Sequence, residues 1–369
     1  MNAPADLPTD VTLSGDAHWL HAGRKNGPAQ WLDNASGSIF SVPLGATDAP
    51  LTVCQDNAKA SYVASLPSGW ARYAAVEAAR RLPAWLAPLS NLAQAPLQAM
   101  MRSAGLQRAA LLDNWLVSTN LHPQCALADW QTALDAAIAL TPDRPVAIRS
   151  ICDAVSPGLP AQLQTADWML IPARLVYLCN PNAPALWKHN HVRKDRRLLD
   201  APDVERVEPD AVDAGDLPAL RCAFQQVFIG KHSHLNPDFS ANFLALCREK
   251  RFLDLYALRF QGRAVGVLGV LQRHGWVTTP LIGYDTKLPQ ELGLYRRLMA
   301  LLLSQARERG ARLHYSSGAG LFKRMRGGEP ALEYTAIYTR HLPASAHAAA
   351  QLFSSAMNRF ASPLLIKHG

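Results

Sequence analysis

The sequence predicts an α/β protein with mixed sheets, organised as two modules in one chain. Three observations carry this expectation. At 369 residues the chain exceeds the usual size of a single domain. Its first half alternates short β-rich runs with stretches of helical periodicity. Its second half sets three β-rich runs, joined by tight turns, ahead of one long amphipathic helix and a further strand.

Taken in order, the first ten residues read as disordered. Apolar runs at 39–44, 51–53 and 62–66, bounded by Gly, Pro, Asp and Asn, predict short strands. Trp70, Ala74, Ala78 and Leu82 share one helical face, so 70–86 is expected to be a helix ending near Pro83. A second helix is expected over 92–104, a buried strand over 109–117 and a helix over 127–140. Strands at 146–151 and 168–178 follow, the latter interrupted by Pro172. The turn-rich stretch 180–184 reads as a linker. Beyond it, residues 187–199 form a basic amphipathic helix with Val192, Leu198 and Leu199 on the apolar side, and 202–216 an acidic linker. Helices at 217–228 and 239–247 flank a polar insert holding Lys231, His232, His234 and Asn236. Then come strands at 255–260, 265–271 and 276–283, a helix from Leu292 to about Gly310 and a strand at 312–316.

Composition narrows the class. No stretch approaches the roughly 18 apolar residues that a membrane-spanning helix needs. The N-terminus has neither a basic nor an apolar signal segment, so a cytoplasmic location is expected. Six scattered cysteines, with no Cys-x-x-Cys among them, read as reduced core residues, and no metal site is expected. Charge is uneven: residues 1–186 carry a net −2 and residues 187–369 a net +10. Such asymmetry fits either an anionic partner for the second half or a basic solubilising surface.

The chemistry-bearing residues concentrate after residue 280. At Gln290-x-x-Gly293-x-Tyr295 a glycine opens a long amphipathic helix. A missing Cβ lets backbone approach an anion, and the helix N-terminus favours negative charge, with Arg296 and Arg297 adding to it. An ordinary loop-to-helix start explains the same residues. Tyr284 and Asp285 end the third strand, where Asp285 serves either as a base or as a turn cap. Ser317 accepts hydrogen bonds or caps the next helix; the lack of a Gly-x-Ser-x-Gly elbow disfavours serine hydrolase chemistry. Lys323, Arg324 and Arg326 either clamp an anion or oppose a helix C-terminal dipole. His232 and His234 supply a base or bind an acceptor, or lie in a solvated loop. No phosphate-cradle turn is visible in the first half.

This order of elements, over roughly residues 215–342, resembles the GNAT superfamily of acyl-CoA-dependent acyltransferases. That family's phosphate motif is Gln/Arg-x-x-Gly-x-Gly/Ala; here Tyr295 stands at the small-residue position. Gly283-Tyr284-Asp285, Gly293-Leu294-Tyr295-Arg296, Ser316-Ser317-Gly318 and Phe322-Lys323-Arg324 are similar to the long, Fem-type members. The resemblance implies two GNAT-like domains in tandem. A degenerate one would occupy residues 1–180, a linking helix and linker 181–214, and the acyltransferase domain 215–369. It implies an acyl-CoA or acyl-carrier-protein thioester as donor, with no permanently bound cofactor, and an amine of a small molecule or biosynthetic intermediate as acceptor. Gln290, Gly293, Tyr295, Arg296 and Lys323 would hold the donor. Tyr284, Asp285 and Ser317 would sit at the reacting end, and His232, His234 and Arg324 near the acceptor. Two further readings stand beside this one. The first is a Fem-type aminoacyltransferase taking its donor from charged tRNA. The second is a catalytically degenerate scaffold or RNA-binding protein, with the basic helix at 187–199 tracking phosphates.

Overall fold

The computed structural model describes residues 14–73, 75–76 and 87–368. In chain order the elements are α1 (Gly15–Asn26), β1 (Gly37–Leu44), β2 (Thr47–Cys54), α2 (Ala87–Ser103), β3 (Ala110–Leu112), α3 (Leu127–Leu140), β4 (Val146–Ile151), α4 (Leu159–Thr165) and β5 (Met169–Cys179). They continue with α5 (Asn190–Leu199), β6 (Glu205–Val207), α6 (Leu217–Gln225), α7 (Ala241–Lys250), β7 (Asp254–Phe260), β8 (Arg263–Arg273) and β9 (Trp276–Tyr284). The last are α8 (Leu294–Glu308), β10 (Arg312–His314), α9 (Gly320–Arg324), β11 (Glu329–Tyr338), α10 (Ala344–Ala356) and α11 (Ser362–His368).

One eleven-stranded mixed sheet runs through both halves, in the order β1-β2-β3-β4-β11-β5-β10-β9-β8-β7-β6. The expected meander is present: β7, β8 and β9 pair antiparallel, and α8 carries the chain across to β10, which lies parallel to β9. The first half repeats this unit, with α3 joining β3 to a parallel β4. The echo follows from the same constraint, since a parallel neighbour needs a crossover long enough to hold a helix. Strand β11 then enters between β4 and β5, so residues from the end of the chain close the sheet of the first half. Pro172 in β5 lacks a ladder N–H, and the β5–β11 register shifts there, between Glu333 and Tyr334.

The core follows the sheet. Leu294, Leu298, Leu301 and Leu302 of α8 pack on the buried positions of β8, β9 and β10 and against Val192 and Leu199 of α5. On the opposite side Phe224, Phe239, Phe243 and Phe252 join Trp19, Trp31 and Trp115, linking the two halves through one aromatic cluster. Gly283 permits the backbone of α6 at Phe224 to lie directly against β9.

Some elements differ from expectation. The strand expected over 109–117 ends at Leu112. Asp113 (φ 48°) and Leu116 (φ 57°) turn the chain, and the Asn114 side chain donates to Thr52 Oγ1 and to the Val63 carbonyl. Polar side chains thereby take over the bonds a ladder would have made. Residues 62–66 form a turn and a helix start, because Ala64 and Ser65 donate to the Ser61 carbonyl. The helix expected over 217–228 gives way to a π-turn at residues 226–232. Of the helix expected over 70–86, Trp70 lies in a π-turn at 68–72, while Ala74 and residues 77–86 lie outside the described residues. The first ten residues also lie outside them. All six cysteines are free, four of them buried. No helix among the described residues is long and apolar enough to cross a membrane.

Candidate active site

The strands β9 and β10 pair only from Arg312–Trp276 to His314–Thr278. Past that register β9 continues through Thr279 to Tyr284, while β10 ends and Ser316 adopts φ 60°. The two strands therefore splay, and a cavity of about 560 Å³ opens in the gap. Thr279, Ile282 and Tyr284 line it from β9, Tyr315 to Ala319 from the segment after β10, and Tyr295 and Met299 from α8. Phe228, Lys231 and His232 line it from the π-turn after α6. The first half supplies the opposing wall with Tyr62, Trp70, Ser118, Arg149 and Arg174. Sequence reasoning assigned no site residue to that half; the signal available was the pair of arginines within the otherwise apolar runs of β4 and β5.

Lys323 is the most perturbed cation at the cavity. Only 4% of it is exposed, and its Nζ donates to the carbonyls of Ser316 (3.3 Å) and Ser317 (2.6 Å). Burial, reinforced by the nearby Arg174 guanidinium, lowers its pKa to about 7. Such an amine is part neutral at physiological pH and can take up a proton. Beside it, Arg174 forms a two-pronged ion pair with Glu333 of β11 (2.6 and 3.1 Å), and donates to Ser316 Oγ (3.3 Å) and to the Ser118 carbonyl (2.6 Å). His314 lies 3.7 Å from Glu333, and its Nδ1 accepts from the Ser316 N–H (3.0 Å). Burial outweighs the carboxylate and pulls the pKa of His314 down to about 4, so its ring is neutral at pH 7. These groups hold the Ser316–Ser317 segment in its left-handed turn.

The remaining expected site residues divide into two sets. Tyr284, Tyr295, Ser317, Lys323 and His232 meet at the cavity. The Tyr295 ring packs at a tilt against Phe322, with centroids 5.0 Å apart, and lies 6.2 Å from Tyr284, and burial lifts its pKa to about 12. At the motif's small-residue position this chain thus puts an aromatic wall. Asp285 lies off the cavity lining, where its carboxylate accepts from the Lys287 N–H (3.0 Å) and caps the turn. His234 is exposed and also off the lining. Arg324 is exposed, with its guanidinium 5.7 Å from the Tyr177 ring centroid.

Gln290, Gly293 and Arg296 gather at the start of α8, outside the cavity lining. Gly293 adopts φ 57°, and a Cβ there would stand 2.5 Å from Leu198 Cδ2. The space beside the glycine is therefore filled by α5. Arg296 donates to Asp195 (2.7 Å), which also holds Arg326 (2.6 Å), while Arg297 pairs with Asp203 (2.6 Å). The basic face of α5, with Arg193, Lys194, Arg196 and Arg197, stays exposed beside this helix start. Among the described residues no group of His, Cys, Asp and Glu side chains has the form of a metal site.

Comparisons with known proteins bear on the second half most directly. Residues 188–324 match the family model of the Acetyltransferase (GNAT) domain. Among solved structures the chain is similar to FemX (9% identity, TM-score 0.48, 67% of this chain and 83% of that one). It is also similar to L-PGS from Bacillus licheniformis (13%, 0.45, 67% and 82%) and to a GCN5-related N-acetyltransferase from Kribbella flavida (15%, 0.32, 67% and 93%). No curated protein matches the chain. The matched segment, residues 188–324, contains the β7–β9 meander, the crossover through α8 to the parallel β10 and one side of the splay, so over that stretch the chain is similar to the GNAT acetyltransferase domain.

Proposed function

We propose that this protein is an N-acyltransferase that moves an acyl group from a thioester donor, acyl-CoA or an acyl-carrier protein, to an amine bound in the cavity. The observation that carries the reading is the cavity at the β9–β10 splay with a buried lysine of lowered pKa on its wall. Free backbone groups of β9 past Thr278 offer pairing partners to the amides of a thioester arm. The amine nitrogen attacks the thioester carbonyl carbon and the C–S bond breaks. Lys323 takes the proton released by the amine, and the hydroxyl of Tyr284 or Tyr295 supplies one to the departing thiolate. The neutral fraction of Lys323 suits it to the first task, and the raised pKa of Tyr295 keeps its hydroxyl protonated for the second.

A second reading takes the donor from charged tRNA. Two observations favour it: Leu198 fills the space beside Gly293, and the exposed cations of α5 form a broad basic face next to it. The test is to incubate purified protein separately with acetyl-CoA, acyl-carrier protein and aminoacyl-tRNA, following binding by mass shift and transfer to a panel of amines. Thioester binding with amide formation, lost in Lys323→Met, is the expected result. Binding of tRNA alone, with transfer of its aminoacyl group, moves the assignment to the second reading. Binding without transfer to any amine overturns both.

A further inference from the structure

Arg149 of β4 lies on the cavity wall opposite the GNAT-type domain and is 6% exposed. Among the described residues no carboxylate forms an ion pair with it, whereas its neighbour Arg174 is neutralised by Glu333. Its hydrogen bonds all leave from Nη1, to Asn114 Oδ1 (3.0 Å), the Val117 carbonyl (3.3 Å) and the Val63 carbonyl (3.5 Å). The Nε–Nη2 edge, a planar pair of donors, has no hydrogen-bond partner among the described residues. Burial and the Arg174 charge lower the Arg149 pKa to about 10, so the side chain stays charged at pH 7.

An unpaired buried guanidinium is costly, and the surrounding structure is built to hold this one in place. His122 bridges the Arg149 carbonyl (2.6 Å) and Asp113 (2.7 Å), and Asn120 N–H donates to Ser150 Oγ (3.1 Å). Ser150 itself sits at φ 63°, a strained setting for a non-glycine residue. The Tyr62 ring lies 5.8 Å from the guanidinium, and Trp70 and Leu66 complete an apolar surround. One planar donor edge and one positive charge that no carboxylate of the described residues contacts match a carboxylate in number of oxygens and in charge.

We propose that Arg149 is a substrate-binding residue that seats a carboxylate, and that the cavity therefore selects a carboxylate-bearing molecule. That this molecule is the acyl acceptor rests on the transfer reaction proposed above; the carboxylate seat itself does not. The acceptor then spans the cavity, with its carboxylate on the wall of the first half and its amine toward Lys323.

Benzoate, benzamide and phenylphosphonate are matched probes: one aromatic ring bearing a monoanionic carboxylate, a neutral amide or a phosphoryl group. Saturable binding to the full chain is read by intrinsic fluorescence and by the rise in Tm. Benzoate should bind at least about tenfold more tightly than benzamide, and Arg149→Gln should remove that preference. Arg149→Lys, which keeps the charge but loses the planar edge, should retain only part of it, and it provides the reading if Arg149→Gln does not fold. Equal binding of benzoate and benzamide, tighter binding of phenylphosphonate, or an unchanged preference in a folded Arg149 variant overturns the seat. Benzoate selectivity in a protein that transfers no acyl group leaves the seat standing and removes the transfer reading. Transfer to amines irrespective of a carboxylate leaves the transfer reading standing and overturns the acceptor as the molecule that the seat selects.

Discussion

Replacing Lys323 with methionine should change the stability of this protein with opposite sign at pH 7 and at pH 10. A lysine of pKa about 7 in the folded chain, against the ordinary value of 10.5, binds its proton more weakly folded than unfolded. Stability therefore falls as pH drops from about 10.5 towards 7, and the full penalty is present below about 7. At pH 7 the linkage amounts to about 4 kcal/mol, and at pH 10 to about 1 kcal/mol. Methionine fills a similar volume and removes this penalty. It also forfeits the two hydrogen bonds to the Ser316 and Ser317 carbonyls, together about 2 kcal/mol. The variant should then be about 2 kcal/mol more stable than wild type at pH 7 and about 1 kcal/mol less stable at pH 10, with the curves crossing near pH 9. Urea denaturation at half-unit pH steps, comparing midpoints at constant m, measures this directly. Parallel stability curves for the two proteins would mean that Lys323 titrates normally and would remove it as the proton acceptor.

Two other substitutions probe how the site is supported. Glu333→Gln leaves the Arg174 guanidinium without its carboxylate in a buried setting and should cost about 3–5 kcal/mol in urea denaturation; a cost below 1 kcal/mol would show that solvent already screens the pair. Gly293→Ala should cost about 2 kcal/mol or more, combining the αL backbone with the Leu198 contact. In a Leu198→Ala background it should cost only the roughly 1 kcal/mol of the backbone term, and an unchanged cost would place the strain elsewhere.

The order of elements was legible in the sequence wherever local periodicity and burial agree. The meander β7–β9 reads as three continuous β-rich, apolar runs between clear turns at Gly262 and Gly275, and α8 shows one continuous apolar face. The crossover to a parallel β10 then follows from chain reach and handedness. Tyr284, Tyr295, Ser317 and Lys323 were placed at the site by the resemblance of their motifs to a known family, and they meet at the cavity.

Other features depend on contacts distant in sequence. That β11 inserts between β4 and β5 is decided by pairing across more than 150 residues, and no local pattern encodes which edge a late strand will find. Arg149 and Arg174 look like stray charges in apolar strands until β11 brings Glu333 to one and the cavity wall holds the other with no ion-pair partner among the described residues. The glycine at 293 reads as an open approach for an anion; only packing shows that Leu198, almost a hundred residues earlier, fills the space where its Cβ would be. Hydrophobic period and turn chemistry are properties of neighbouring residues, so the sequence carries them by itself. Burial, charge pairing and the shift of Lys323 are properties of what surrounds a group in space, and the tertiary structure alone sets those.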